Sequence, residues 1–176
     1  MFIDLLHVPP DGCDLNVALP AERCPLDGNE VRLLDDVHLS GRLEHAADAT
    51  FHLRGSMEAV VELECVRCLE PLRLKLQEPL DLLFLPSAAN VGPSDVEERE
   101  LKDEDLAVSF YQEDRIDLSL LIREQIYLAL PMKPICRVDC SGLCPECGAN
   151  LNLSPCRCVR EVVDPRLASL KTLLKP

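Results

Sequence analysis

Val61-Glu62-Leu63-Glu64-Cys65-Val66-Arg67-Cys68-Leu69-Glu70-Pro71-Leu72-Arg73-Leu74-Lys75-Leu76 reads as two strands and the turn between them. Val61, Leu63 and Cys65 fall on one side of an extended chain, while Glu62 and Glu64 fall on the other. Beyond the turn, Leu72, Leu74 and Leu76 alternate with Arg73, Lys75 and Gln77. Period-two alternation in two successive runs describes antiparallel strands with one face in water. Glu62 and Glu64 opposite Arg73 and Lys75 predict cross-strand ion pairs of ~0.2–1 kcal/mol each.

The same pattern extends outward. Towards the N-terminus, Val37 to Leu43 alternates, as do Phe51 and Leu53 around His52 and Arg54. Towards the C-terminus the last strand runs through Leu80 to Leu85. In residues 1–34 short apolar runs are broken by Pro9, Pro10, Gly12, Pro20, Pro25 and Gly28, which indicates a strand or two and loops. Residues 1–86 therefore make an antiparallel β-meander or a partly closed sheet. Residues 87–105 carry Asp95, Glu97, Glu98, Glu100, Asp103, Glu104 and Asp105 against Arg99 and Lys102. That run reads as a solvated loop, with an acidic contact for a basic partner as the alternative. In the 106–134 region Asp117 can cap a helix whose Leu118, Leu121, Ile122, Ile126 and Ala129 share a face until Pro131 ends it. Residues 135–160 are loop-rich and hold six cysteines. In 161–176, Asp164 caps a terminal helix, Pro165 takes its first position, and Leu167, Leu170 and Leu174 share one side. The expected class is α+β, one domain overall: a sheet packed by one helix, with a cysteine-rich zinc-binding tail.

Composition narrows the function. Of 176 residues, 47% are hydrophobic and 3% aromatic, so aliphatic side chains must fill the core. The net charge of −13, from 18 basic and 31 acidic side chains, repels a phosphate backbone and favours basic partners such as ribosomal proteins. The start Met1-Phe2-Ile3-Asp4 has no cationic region or long apolar run, and no stretch reaches the roughly 18 apolar residues of a spanning helix. A cytoplasmic protein without a membrane segment is expected. In that compartment ten cysteines point to metal rather than disulfides.

Cys144-Pro145-Glu146-Cys147-Gly148 is the sharpest local signal. Two thiolates two residues apart can grip one ion from a tight turn, and the glycine permits the positive φ that such a turn needs. Cys156 and Cys158, in a tighter C-x-C pair, are near enough to complete a tetrahedron. Cys65 and Cys68 form a second knuckle at a hairpin tip, with Leu69 where the other has Gly148. The candidates to complete it are Cys136 and Cys140, which would staple the sheet to the C-terminal segment. Other groupings stay open: one ion shared by Cys136 or Cys140 with Cys144, Cys147 and one of the C-x-C pair, iron–sulfur ligation, or free thiols. Cys13 and Cys24 receive no role. Arg67, Arg137, Arg157 and Arg160 can offset thiolate charge.

No catalytic constellation accompanies these cysteines. His7, His38, His45 and His52 read as surface or packing residues, and no nucleophile elbow, phosphate loop, H-E-x-x-H or dinucleotide motif is present. No enzyme and no small-molecule substrate are expected.

Taken together, the run Glu64 to Leu72, the helix end Leu128-Ala129-Leu130-Pro131, the stretch Cys140-Ser141-Gly142-Leu143-Cys144-Pro145-Glu146-Cys147-Gly148-Ala149-Asn150-Leu151-Asn152 and the tail Asp164 to Lys171 resemble the YceD family. Its members are called large ribosomal RNA subunit accumulation proteins. The resemblance covers about residues 60–174 and implies a bacterial or organellar factor without assigned enzymatic activity. It directs attention to a basic large-subunit ribosomal protein or a pre-ribosomal particle as partner. Direct RNA contact, through the cationic bias of Arg137, Arg157, Arg160, Arg166, Lys171 and Lys175, is the alternative, and a redox- or metal-sensing zinc protein is a third reading. The metal expected is one or two structural Zn2+ ions.

Overall fold

The computed structural model describes residues 1–26, 31–47, 49–87 and 108–158. Strands β1 (Phe2–Asp4), β2 (Cys13–Leu19), β3 (Val31–Leu33), β4 (Val37–Ala47), β5 (Thr50–Glu64), β6 (Pro71–Pro86), β7 (Val108–Tyr111) and β8 (Arg115–Asp117) lead into helix α1 (Leu118–Ala129). The expected acidic loop at 87–105 lies, apart from Ser87, outside the described residues, and so do the expected terminal helix at 161–176 and Arg160.

The meander β4-β5-β6 is the centre of the fold. β5 and β6 pair without a break from Phe51↔Phe84 to Glu64↔Pro71. Alternation therefore stays in phase for the whole length, and one face buries Phe51, Leu53, Met57, Ala59, Val61 and Leu63 of β5 with Leu76, Leu80, Leu82 and Phe84 of β6. Val37, Leu39 and Leu43 of β4 continue that face. Pro79 has no N–H to give, and among the described residues it lies where β6 carries no strand on its far side, since β7 pairs only from Leu83 onward.

Strands from the described part of residues 1–34 join the sheets, a point their sequence left open. β2 pairs antiparallel with β4, β3 continues along β5 beyond β4, and β1 pairs with β8 in a separate two-stranded sheet. The order β2-β4-β5-β6-β7 does not return on itself, so the sheet is open and the partly closed alternative falls away. Nor is the sheet wholly antiparallel: β6 and β7 run parallel, Leu83↔Val108 to Pro86↔Tyr111. A parallel neighbour needs a crossover of a dozen residues or more, and the stretch from 87 to 107 is long enough. The packing-helix region at 106–134 thus carries two short strands ahead of its helix.

The wet-face ion pairs also differ from expectation. Glu62 stands opposite Arg73 in register, but its carboxylate pairs with Arg32 of β3 at 3.0 Å. Lys75 reaches diagonally to Glu58 at 3.3 Å. β3, invisible as a strand in the sequence, supplies the closer guanidinium.

α1 starts where Asp117 accepts the N–H of Ser119 at 2.9 Å, and ends with the N–H of Leu130 on Ile126 O before Pro131. Leu118, Leu121, Ile122 and Ile126 are buried in the same core as the strands. We expect Ile122→Ala to destabilise the fold by about 2–5 kcal/mol, read as a shift of the urea midpoint with unchanged slope. Ile122 has no exposed surface, so a cavity must open there. No helix among the described residues is long and apolar enough to cross a membrane.

Candidate metal centres

α1 delivers the chain to the tip of the β5–β6 hairpin. After Pro131 the backbone runs to Pro134, whose carbonyl accepts the N–H of Val66 at 2.9 Å. That contact brings Cys136 and Cys140 against Cys65 and Cys68, and the four Sγ atoms lie within 4.8 Å of one another. Cys65 Sγ to Cys140 Sγ is 3.9 Å, and Cys68 Sγ to Cys136 Sγ is 3.6 Å. A disulfide would need ~2.05 Å. A tetrahedron of sulfurs at ~2.3 Å from a central Zn2+ has edges of ~3.8 Å, which the two spacings bracket. Cys65, Cys68 and Cys140 are buried, and Leu72 and Leu143 pack on them.

A second set follows at once. Cys144, Cys147, Cys156 and Cys158 also have all Sγ atoms within 4.8 Å of each other. Here Cys144 is buried, Cys156 half-buried, and Cys147 and Cys158 exposed. Both sets could hold a metal ion, in the two foursomes that the spacing suggested; no fourth ligand is shared between them. Cys13 and Cys24 stand apart: Cys13 faces Leu43 across β2–β4, and buried Cys24 points its thiol at Ser119 O, 3.5 Å away. Burial raises the pKa of that thiol, which keeps it protonated.

The two knuckles use one turn. The N–H of Gly148 bonds to Cys144 O at 2.9 Å, and the N–H of Leu69 bonds to Cys65 O at 2.8 Å. Gly148 has φ +72°, and Leu69 takes φ +60° despite its side chain. Leucine in place of glycine therefore does not change the turn; the bonds of the hairpin tip, with Cys65 N–H also on Glu70 O at 2.9 Å, hold Leu69 in a region that disfavours it by ~1–2 kcal/mol. At Gly148 nothing lies within 4 Å of where a Cβ would stand. Gly148→Ala should therefore cost only the backbone term, ~1 kcal/mol or about a fivefold loss of metal affinity at the second set, measurable by chelator competition.

Charge explains why four sulfurs so close call for a cation. Burial opposes a charge on Cys65, but the N–H groups of Cys136, Arg67 and Cys68 outweigh it and bring its pKa down to about 6. Cys136 moves the other way, to about 12, through burial and through donating its proton to the sulfurs of Cys140, Cys68 and Cys65. In the second set, the N–H groups of Cys147 and Glu146 lower Cys144 to about 7, while hydrogen bonding to Cys147 lifts Cys158 to about 12. Each set thus offers a ready thiolate and retains a proton that an entering ion must expel. Metal affinity should rise with pH through the neutral range, each ion releasing at least one proton; a dye-monitored titration at pH 7 reads that proton directly.

The neighbours of the sulfurs are only partly those expected. Arg137 does not contact sulfur: it binds Asn152 Oδ1 at 2.7 Å and approaches Asp139 at 3.6 Å. Arg67 contributes through its backbone, its carbonyl accepting the N–H of Leu143 at 2.9 Å. The donors that sequence reading missed are the N–H of Cys136, 3.4 Å from Cys65 Sγ, and Nδ2 of Asn152, 3.3 Å from Cys140 Sγ. Asparagines in a loop look like ordinary turn formers, so only their place beside six cysteines hinted at more.

Comparison with known proteins places this arrangement. The chain is 36% identical over 136 residues to an uncharacterised protein of Mycobacterium tuberculosis, covering 77% of this chain and 60% of that relative. It thus spans about 60% of the length of the mycobacterial relatives it matches. The chloroplastic large ribosomal RNA subunit accumulation protein YCED homolog 1 of Zea mays is 30% identical over 126 residues, covering 60% of this chain and 43% of its own. The Arabidopsis thaliana homolog 1 reaches 45% over 49 residues, 28% of this chain and 15% of its own. No solved structure matches. The family model described as large ribosomal RNA subunit accumulation protein YceD matches residues 53–174, from the start of the long hairpin through both cysteine sets, and this chain belongs to the YceD family.

Proposed function

We propose that this chain carries two structural Zn2+ ions and serves large-subunit ribosomal RNA accumulation as a non-enzymatic, cytoplasmic binding factor of bacterial type. Its partner in this reading is a basic large-subunit ribosomal protein or a pre-ribosomal particle. Cys65, Cys68, Cys136 and Cys140 would hold one ion and Cys144, Cys147, Cys156 and Cys158 the other. The observation that carries the reading is the closure of both sets: four sulfurs around each point leave no position for water or substrate. Zinc suits an all-thiolate tetrahedron that has no redox task. The name borne by the plant relatives supplies the process, and the net charge of −13 favours a protein partner over a phosphate backbone. A contact surface is available at the first set, where a groove of about 390 Å3 is lined by Val66, Leu69, Leu130 and Met132.

The test is complementation. Cells lacking the protein should show a lowered ratio of large- to small-subunit RNA, restored by the intact chain and not by Cys65→Ser. Capture of the protein after RNase treatment should still recover a basic large-subunit protein. An unchanged RNA ratio overturns the reading; capture that RNase abolishes transfers it to direct RNA binding.

A further inference from the structure

The two cysteine sets lie on one continuous backbone, and the loop that closes the second reaches back to the first. Residues 148–155 are bounded by Cys147 and Cys156, so an ion in the second set pins both ends of this loop. Within it, Asn152 Nδ2 donates to Cys140 Sγ at 3.3 Å, directly onto a ligand of the first set. Asn152 Oδ1 accepts the N–H of Ser141 and Nη2 of Arg137, both at 2.7 Å, which fixes the segment on either side of Cys140. Asn150 Oδ1 holds the N–H of Asn152 at 3.0 Å, and Asn150 Nδ2 reaches Glu70 at 3.2 Å, just beyond Cys68. The backbone adds Leu151 N–H on Gly142 O at 2.9 Å.

We propose that Asn152 is a positioning residue that couples the two centres, so that filling the second raises the affinity of the first. This rests on the proposal that both sets bind metal, and goes beyond it by making them one cooperative unit. A four-thiolate Zn2+ site carries a formal charge of about −2, which N–H donors to sulfur stabilise; losing such an outer hydrogen bond typically weakens a site 10- to 100-fold. Asn152 can supply its bond only while its loop is held, and the ion in the second set holds it. By linkage the first ion must favour the second equally.

Co2+ titration of the full chain, competed against a chelator and with bound ions counted by atomic emission, tests this. In Cys147→Ser/Cys158→Ser the first set should bind Co2+ about tenfold more weakly than it does in the intact chain. Its thiolate-to-metal absorption should shift as the bond to Cys140 is lost. In an Asn152→Ala background the same two serines should change first-set affinity by less than twofold. If Asn152→Ala does not fold, Asn152→Asp replaces it, since it keeps the oxygen for Ser141 and Arg137 and loses the Nδ2 bonds to Cys140 Sγ and, at 2.9 Å, to Asn150 Oδ1. Equal first-set affinity with and without the second set overturns the coupling, as does a tenfold drop that persists without Asn152. Uptake of no ion at all would overturn the metal reading beneath it, a result distinct from two ions taken up independently.

Discussion

Cys65→Ser, or stripping metal from the intact chain with a strong chelator, should release residues 132–158 from the hairpin tip while leaving the sheet folded. The sheet has its own core: Leu39, Leu43, Leu53, Met57 and Val61 are fully buried among themselves and the helix, far in sequence from any ligand but Cys65 and Cys68. The cysteine-rich segment has no comparable core. Its buried side chains among the described residues are the sulfurs of Cys140 and Cys144 themselves, whereas Met132, Val138 and Leu153 are more than three-quarters exposed. In the proposed metal-bound state its order comes from ligation, which supplies of order ~10 kcal/mol in small zinc modules. Hydrogen exchange is the measurement. Amides of Leu143, Cys144, Gly148 and Leu151, all bonded in the native chain, should lose protection, and those of β5 and β6 should keep it. The effect should also be larger at the first set than at the second. Cys65 and Cys140 are 75 residues apart, whereas the second set spans Cys144 to Cys158. Closing a loop about five times longer is worth ~1.5 kcal/mol more by chain entropy. Protection unchanged in chelator would show that the segment is held by something other than metal.

Much of this was readable from residue types because the relevant patterns are local and rare. Val61, Leu63 and Cys65 against Glu62 and Glu64 can be extended in only one sensible way, and C-x-x-C pairs have few uses in an acidic chain without disulfides. The helix was bounded by its own chemistry, Asp117 at one end and Pro131 at the other. What stayed hidden depends on distant partners. Cys13 to Leu19 alternates as well as β4 does, but its seven residues sit between prolines, and its partner strand begins eighteen residues later at Val37. The parallel register of Val108 on Leu83 is non-local in the same sense. Leu69 hid a turn that glycine would have announced, because tertiary contacts can impose a left-handed φ on a residue that disfavours it. Asn152 hid because its role lies in which sulfur it reaches, and a loop sequence carries no distance.

The second large effect comes from two glycines that no motif singled out. Gly41 and Gly55 face each other across β4 and β5, on the side of the sheet that carries the core. A Cβ on Gly55 would stand 2.6 Å from Gly41 Cα, and one on Gly41 would stand 2.9 Å from Gly55 Cα. Both obstacles are backbone, so no rotamer can relieve them. Strands of 11 and 15 residues twist as they pair, and a pair of opposed residues without side chains lets the two backbones approach closely at this point. Gly55→Val should therefore force the strands apart through the middle of the meander and destabilise by more than ~3 kcal/mol, above ordinary overpacking. Gly55→Ala should cost ~1–3 kcal/mol. Ser56→Ala, one residue along on the wet face, loses only a 3.2 Å hydroxyl contact with Ser40 and should stay within about 1 kcal/mol. The double variant Gly41→Ala/Gly55→Ala should cost less than the sum of its parts, because the first Cβ already opens the gap that the second needs. Urea midpoints for these four variants and for Gly41→Ala decide it: additive losses, or a Gly55→Val midpoint close to that of the intact chain, would mean the strands can separate there freely and that the glycines do not set their close approach.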